Sequence, residues 1–125
     1  MFSHIMLGAK DMEASREFYD AVMGTLGRGP GVMGAKGRCF YFSDFGILVL
    51  KPSDMSVDVN TSDSITGFVA ETNKQVDAWY EAGLLFDKDL VLGPPQLRDA
   101  EAGKFYLSYL LDPTGNKLCA MHYLD

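Results

Sequence analysis

The sequence predicts an α+β fold made of two tandem βαβββ modules, which together form a curved mixed sheet around a central cavity. Two observations lead there. The order strand, helix, three strands runs twice at a spacing of roughly 60 residues, with "EFYDA" at 17–21 matched by "AWYEA" at 78–82. Between the two runs lies "PSDMSVDVNTSD", residues 52–63, which is polar, rich in turn formers and without helical spacing. A chain of 125 residues is one folded domain, since either half alone would bury too little surface. Module 1 covers about 1–51, the linker about 52–63 and module 2 about 64–125. Two half-open sheets of this kind can turn their concave faces toward a common pocket.

Each element follows from local pattern. "MFSHIMLGA" is apolar apart from His4 and suits a strand. Asp11 then caps a helix in which Met12, Phe18, Tyr19, Val22, Met23 and Leu26 recur at three- and four-residue spacing, until Gly27 closes it. The Gly-rich stretch at 27–37 has room for one short strand. "RCFYF", a turn at "SDFG" and "ILVLK" form a hairpin-like pair that Pro52 stops. After the linker, "ITGFVAET" reads as a strand and Asn73 as a helix cap, with Val76, Trp79, Tyr80, Gly83 and Leu84 as the buried stripe. "DLVLG" follows as a strand, "PPQLRDAEAG" as a loop and "KFYLSYLL" as a strand. "DPTG" is a type I turn with Pro113 in its second position, and it leads into the last strand, "NKLCAMHY".

Composition narrows the class of partner. A formal charge of −6 with no cluster of Lys and Arg argues against nucleic acid. The longest aliphatic run, "ILVL" at 47–50, is too short for a membrane span, and the N-terminus lacks the pattern of a signal peptide, so the expectation is a cytoplasmic protein without membrane contact. In that compartment Cys39 and Cys119 remain free thiols.

Taken together, "HIMLGAKDMEASREFYDAVMGTLG", "TGFVAE", "GPPQLR" and "LLDPTGNKLCAMHY" make the chain resemble the glyoxalase, bleomycin-resistance and extradiol dioxygenase superfamily, the vicinal oxygen chelate proteins. The resemblance implies paired βαβββ modules, often a homodimer, and a cavity that in many members holds a divalent metal. In those members the ligands come from the first and last strands of each module. Carried over position by position, His4 matches the first ligand. The next falls near Leu48 or Leu50, the third on Phe68 and the last on Cys119. Imidazole plus one thiolate is short of the three or so protein ligands a catalytic centre needs, so the expectation is no metal and no cofactor. Glu71 could substitute, but alternation puts it opposite to Phe68.

The candidates that remain are pocket-lining rather than metal-binding. His4, Phe42, Phe68, Arg98, Tyr109, Cys119 and Met121 are the expected ligand contacts, with Arg98 suited to a carboxylate or phosphate. A catalytic pair of His4 and Cys119 stands against the plainer reading of Cys119 as a buried thiol. His122 faces away from Cys119. The functional expectation is a homodimer with a degenerate, metal-free cavity for a small amphipathic or aromatic molecule. The alternative is a divergent lyase, isomerase or dioxygenase-like enzyme using an unusual metal set or His4 with Cys119.

Overall fold

A computed structural model describes residues 1–54 and 63–124. Most of the expected linker, residues 55–62, lies outside the described residues. The first half holds β1 (His4–Ala9), α1 (Met12–Gly24), β2 (Val32–Met33), β3 (Cys39–Ser43) and β4 (Gly46–Pro52). The second holds β5 (Thr66–Val69), α2 (Asn73–Phe86), a 3-10 turn (Lys88–Leu90), β6 (Val91–Ala100), β7 (Gly103–Leu111) and β8 (Lys117–Tyr123). The expected two βαβββ modules are present.

Each half builds a four-stranded mixed sheet, with orders β1-β4-β3-β2 and β5-β8-β7-β6. The first and last strands of each half run parallel, His4 opposite Ile47 and Gly67 opposite Cys119, and all other pairings are antiparallel. Parallel neighbours need a long crossover, and in each half a helix and two strands supply it.

Strand alternation then decides what is buried. Ile5, Leu7, Cys39, Tyr41, Leu48 and Leu50 share one face of the first sheet, where they join Phe18, Tyr19 and Val22 of α1. Leu110, Leu118 and Ala120 do the same in the second sheet, against Val76 and Trp79 of α2. All of these belong to one core, so the two modules are packed as a single unit. The rings of Phe18 in α1 and Phe86 in α2 meet edge to face at 5.5 Å.

Three local expectations change. The cap of α2 is Thr72, whose hydroxyl accepts from the Gln75 N–H at 3.1 Å, while Asn73 is the first helical residue. Both residue types suit a cap, and Thr72 has the extended backbone that the position requires. The segment expected as the loop "PPQLRDAEAG" is mostly strand, because β6 continues through both prolines to Ala100. It can do so as the outermost strand of its sheet, with register shifts between Val91 and Gly93 and between Gly93 and Gln96. Pro52, expected to stop the hairpin, is itself the last residue of β4. No helix among the described residues is long and apolar enough to cross a membrane.

Candidate functional site

The seven expected contact residues fall into two groups, and register is what separates Phe68 from Cys119. On β5 and β8, Gly67 stands opposite Cys119 and Phe68 opposite Ala120. Phe68 therefore points to the helix-covered face and packs against the main core, whereas Cys119 points to the opposite face. The expectation that His4, Phe68 and Cys119 meet in one hollow is thus corrected: a single-residue step along β5 turns the ring away from the thiol.

His4, Phe42 and Phe68 line a cavity of about 350 Å³. It is built where the starts of β1 and β4, the end of α1 and strand β5 converge, and its walls are mainly apolar, with Met23, Leu26 and Ile47 among them. The turn from Ser43 to Gly46 shapes one side. Ser43 Oγ donates to the Gly46 carbonyl at 2.9 Å and accepts from the Phe45 N–H at 3.2 Å. Gly46 has φ of +144°, and a Cβ there would stand 3.0 Å from the Ser3 carbonyl oxygen, so only glycine lets the N-terminal segment lie alongside. His4 Nδ1 shares a hydrogen bond with Ser3 Oγ at 2.8 Å. Arg28 and Phe45 also line this cavity, with the guanidinium carbon 5.9 Å from the ring centroid. Neither was legible as a site residue in the sequence, where Arg28 is one cation in a Gly-rich stretch and Phe45 one residue of a turn.

Arg98, Tyr109, Cys119 and Met121 form the second group. Cys119 packs with Phe105 and Leu107, with Tyr109 and Met121 beside them. Arg98 Nη1 donates to Tyr109 Oη at 3.1 Å, and its guanidinium carbon lies 5.8 Å from that ring's centroid. Burial pushes the Cys119 thiol up to about 11, and the charge of Arg98 offsets this only in part. A nucleophilic cysteine needs the opposite shift. His122 lies on the far face, as alternation predicts, and its Nδ1 shares a 2.8 Å hydrogen bond with Asn73 Oδ1.

The donor set does not fit the divalent metal that the resemblance implies. Leu48 and Leu50 sit on the helix side of the first sheet, and the β4 residues that share a face with His4 are Ile47, Val49 and Lys51, two aliphatic side chains and an ammonium that do not coordinate an ion. The β5 residues that share a face with Cys119 are Gly67 and Val69. Among the described residues, no group of three or more His, Cys, Asp or Glu is placed to hold an ion. Glu71 is exposed, beyond the end of β5, and its N–H donates to Gln75 Oε1.

No family model and no curated protein matches the sequence. Solved structures do. A lactoylglutathione lyase from Agrobacterium tumefaciens is 20% identical, with a TM-score of 0.65 over 98% of this chain and 92% of that one. A glyoxalase/bleomycin resistance protein/dioxygenase from Alicyclobacillus acidocaldarius is also 20% identical, with a TM-score of 0.69 over 100% and 92%. At that identity these two share the fold alone. A glyoxalase/bleomycin resistance protein from Albidiferax ferrireducens T118 is 42% identical, with a TM-score of 0.86 over 98% of both chains. That identity over nearly the full length, together with the paired βαβββ sheets, shows that the chain belongs to the glyoxalase/bleomycin resistance protein family.

Proposed function

We propose that this protein is a metal-free, ligand-binding member of its family, a cytoplasmic homodimer that holds a small amphipathic or aromatic molecule. The observation that carries this reading is the cavity of about 350 Å³ at His4, Phe42 and Phe68, a size within the range of small-molecule pockets. Its walls offer rings and aliphatic groups for contact, with a few polar groups to orient a ligand. Arg98, Tyr109, Cys119 and Met121 make a second surface, available as further contacts if an assembly brings it to a ligand. The poor donor set described above supports binding without a metal.

Apolar side chains on the faces turned away from the helices support the homodimer. Met6, Val32 and Phe42 lie on that face of the first sheet, and Val69 and Tyr123 on that of the second, each more than 40% exposed. Exposed apolar side chains gathered on one face of a sheet suit a partner surface.

The test begins with protein purified without chelator. The reading expects no stoichiometric metal, and a melting temperature that rises with at least one member of a panel of cationic drugs, aromatic acids and α-oxoaldehyde adducts, because a ligand of the native state alone stabilises it. A stoichiometric ion that is lost in His4→Ala would overturn the metal-free reading in favour of the enzymatic alternative. Sedimentation that shows only monomer would remove the dimer.

A further inference from the structure

We infer that the ligand of this cavity is an aromatic carboxylate whose anionic group is held by Arg28. The inference rests on the ligand-binding reading and narrows it to a chemical class. Its basis is the local charge. The whole chain carries 17 acidic residues against 11 basic ones, yet the residues lining the cavity include no Asp, Glu or Lys, and Arg28 is their one permanently charged side chain. Charges close to a pocket weigh more than the net charge of the molecule, because screening damps those farther than about 8–10 Å at ordinary ionic strength. Asp44, between Ser43 and Phe45, is not paired with Arg28.

Arg28 is held in place and left chemically open. Gly27 has φ of +82°, its N–H donates to the Gly24 carbonyl at 3.1 Å, and the Arg28 N–H donates to the Met23 carbonyl at 3.1 Å. This pair of bonds is the Schellman closure of α1, and it sets the point from which the arginine side chain leaves the helix end. The side chain then lies against Phe45, whose backbone is tied to Ser43. Contact with a ring leaves guanidinium N–H donors for a planar, two-oxygen acceptor. Among the described residues no carboxylate pairs with Arg28, whereas Arg16 has Asp20 at 3.9 Å. A cation ready for an anion thus stands at an apolar pocket. The rings of Phe2, Phe42, Phe45 and Phe68 on its walls suit a flat hydrocarbon body. His4, with its Nδ1 engaged by Ser3, adds a second polar group to the same lining.

Three probes of nearly equal shape separate the possibilities: 2-naphthoate, 2-naphthalenemethanol and 2-naphthylmethylammonium, titrated calorimetrically at pH 7. The carboxylate is expected to bind about tenfold or more tighter than the alcohol, as a charge-assisted hydrogen bond allows, with the ammonium weakest. In Arg28→Met that advantage should fall to less than about twofold while the alcohol's affinity is kept, and Arg28→Lys should lie between. Melting curves of both variants check that they fold; the ranking on the unaltered protein tests the carboxylate class even if they do not, and Arg28→Gln then tests the arginine. An alcohol that binds as tightly as the acid, or an acid preference untouched by Arg28→Met, overturns the inference and leaves the cavity reading standing. If none of the three binds, both fall.

Discussion

The hydroxyl of Tyr19 donates a 2.6 Å hydrogen bond to Asp112 Oδ2 across 93 residues of chain, joining the helix of the first module to the β7–β8 turn of the second. Asp112 is only 1% exposed, and its other oxygen accepts the N–H groups of Thr114, Gly115 and Asn116 at 2.8–3.0 Å. The side chain of Asn116 bridges Oδ2 at 2.8 Å and the Gly8 carbonyl at 3.0 Å, and the Lys10 N–H reaches Thr114 Oγ1 at 3.1 Å. One turn thus clamps β1, α1 and the second sheet together, and it holds the strands that frame the cavity.

Removing that carboxylate should be costly. Asp112→Ala strands a phenol and three backbone donors, and is expected to destabilise the protein by about 3 kcal/mol or more, against about 1–2 kcal/mol for Tyr19→Phe, where the carboxylate keeps its other donors. Urea denaturation measures both. An Asp112→Ala variant as stable as Tyr19→Phe would show that the clamp is incidental.

Stability should also decline on the alkaline side. Burial and Asp112 hold the Tyr19 phenol well above its ordinary value of 10.0, burial and Asp20 do the same for Tyr41, and burial lifts Cys119 from 9.0 to about 11. For each group the unfolded chain releases its proton first, so the folded state binds more protons in this window and stability falls as pH rises. The contribution is fully present below pH 9 and is lost as pH climbs through 9 to 11 and beyond. Melting temperatures taken from pH 7 to 11 should be level at first and then drop. A rise above pH 9 would contradict the assignment.

Two helical glycines should respond with opposite sign. A Cβ on Gly83 of α2 would stand 2.5 Å from Leu110 Cδ1, whereas one on Gly24 at the end of α1 meets nothing within 4 Å. Gly83→Ala is expected to cost about 1–3 kcal/mol through overpacking, and Gly24→Ala to gain about 0.5 kcal/mol from chain entropy. Chemical denaturation of the pair is the check, and equal effects would refute the close helix–sheet approach.

Thiol chemistry tests the catalytic pair. Burial raises both Cys39 and Cys119, so iodoacetamide at pH 8 should label each more than about tenfold slower than a free thiol. Labelling of Cys119 as fast as free cysteine would reopen the reading in which His4 activates it.

Much of the architecture was legible because it is local. Asp11 at the start of α1, the stripe from Phe18 to Leu26 and the repeated element order follow from spacing alone, and "DPTG" was recognisable as a turn. The site was less so. Phe68 was expected beside Cys119, and the true relation rests on the register between β5 and β8, which no single strand carries. The two prolines of β6 read as loop because their tolerance depends on that strand being outermost.

Periodicity, turn chemistry and resemblance in the sequence were enough to determine the doubled βαβββ plan and its family. Tertiary structure alone decided that the Asp112 carboxylate is the bolt between modules, that Arg28 and Phe45 reach the cavity, and that the expected contacts divide between that cavity and a separate face of the second sheet. The reason is physical: these outcomes depend on which strands become neighbours and in what register, and a shift of one residue sends a side chain to the opposite side of the sheet.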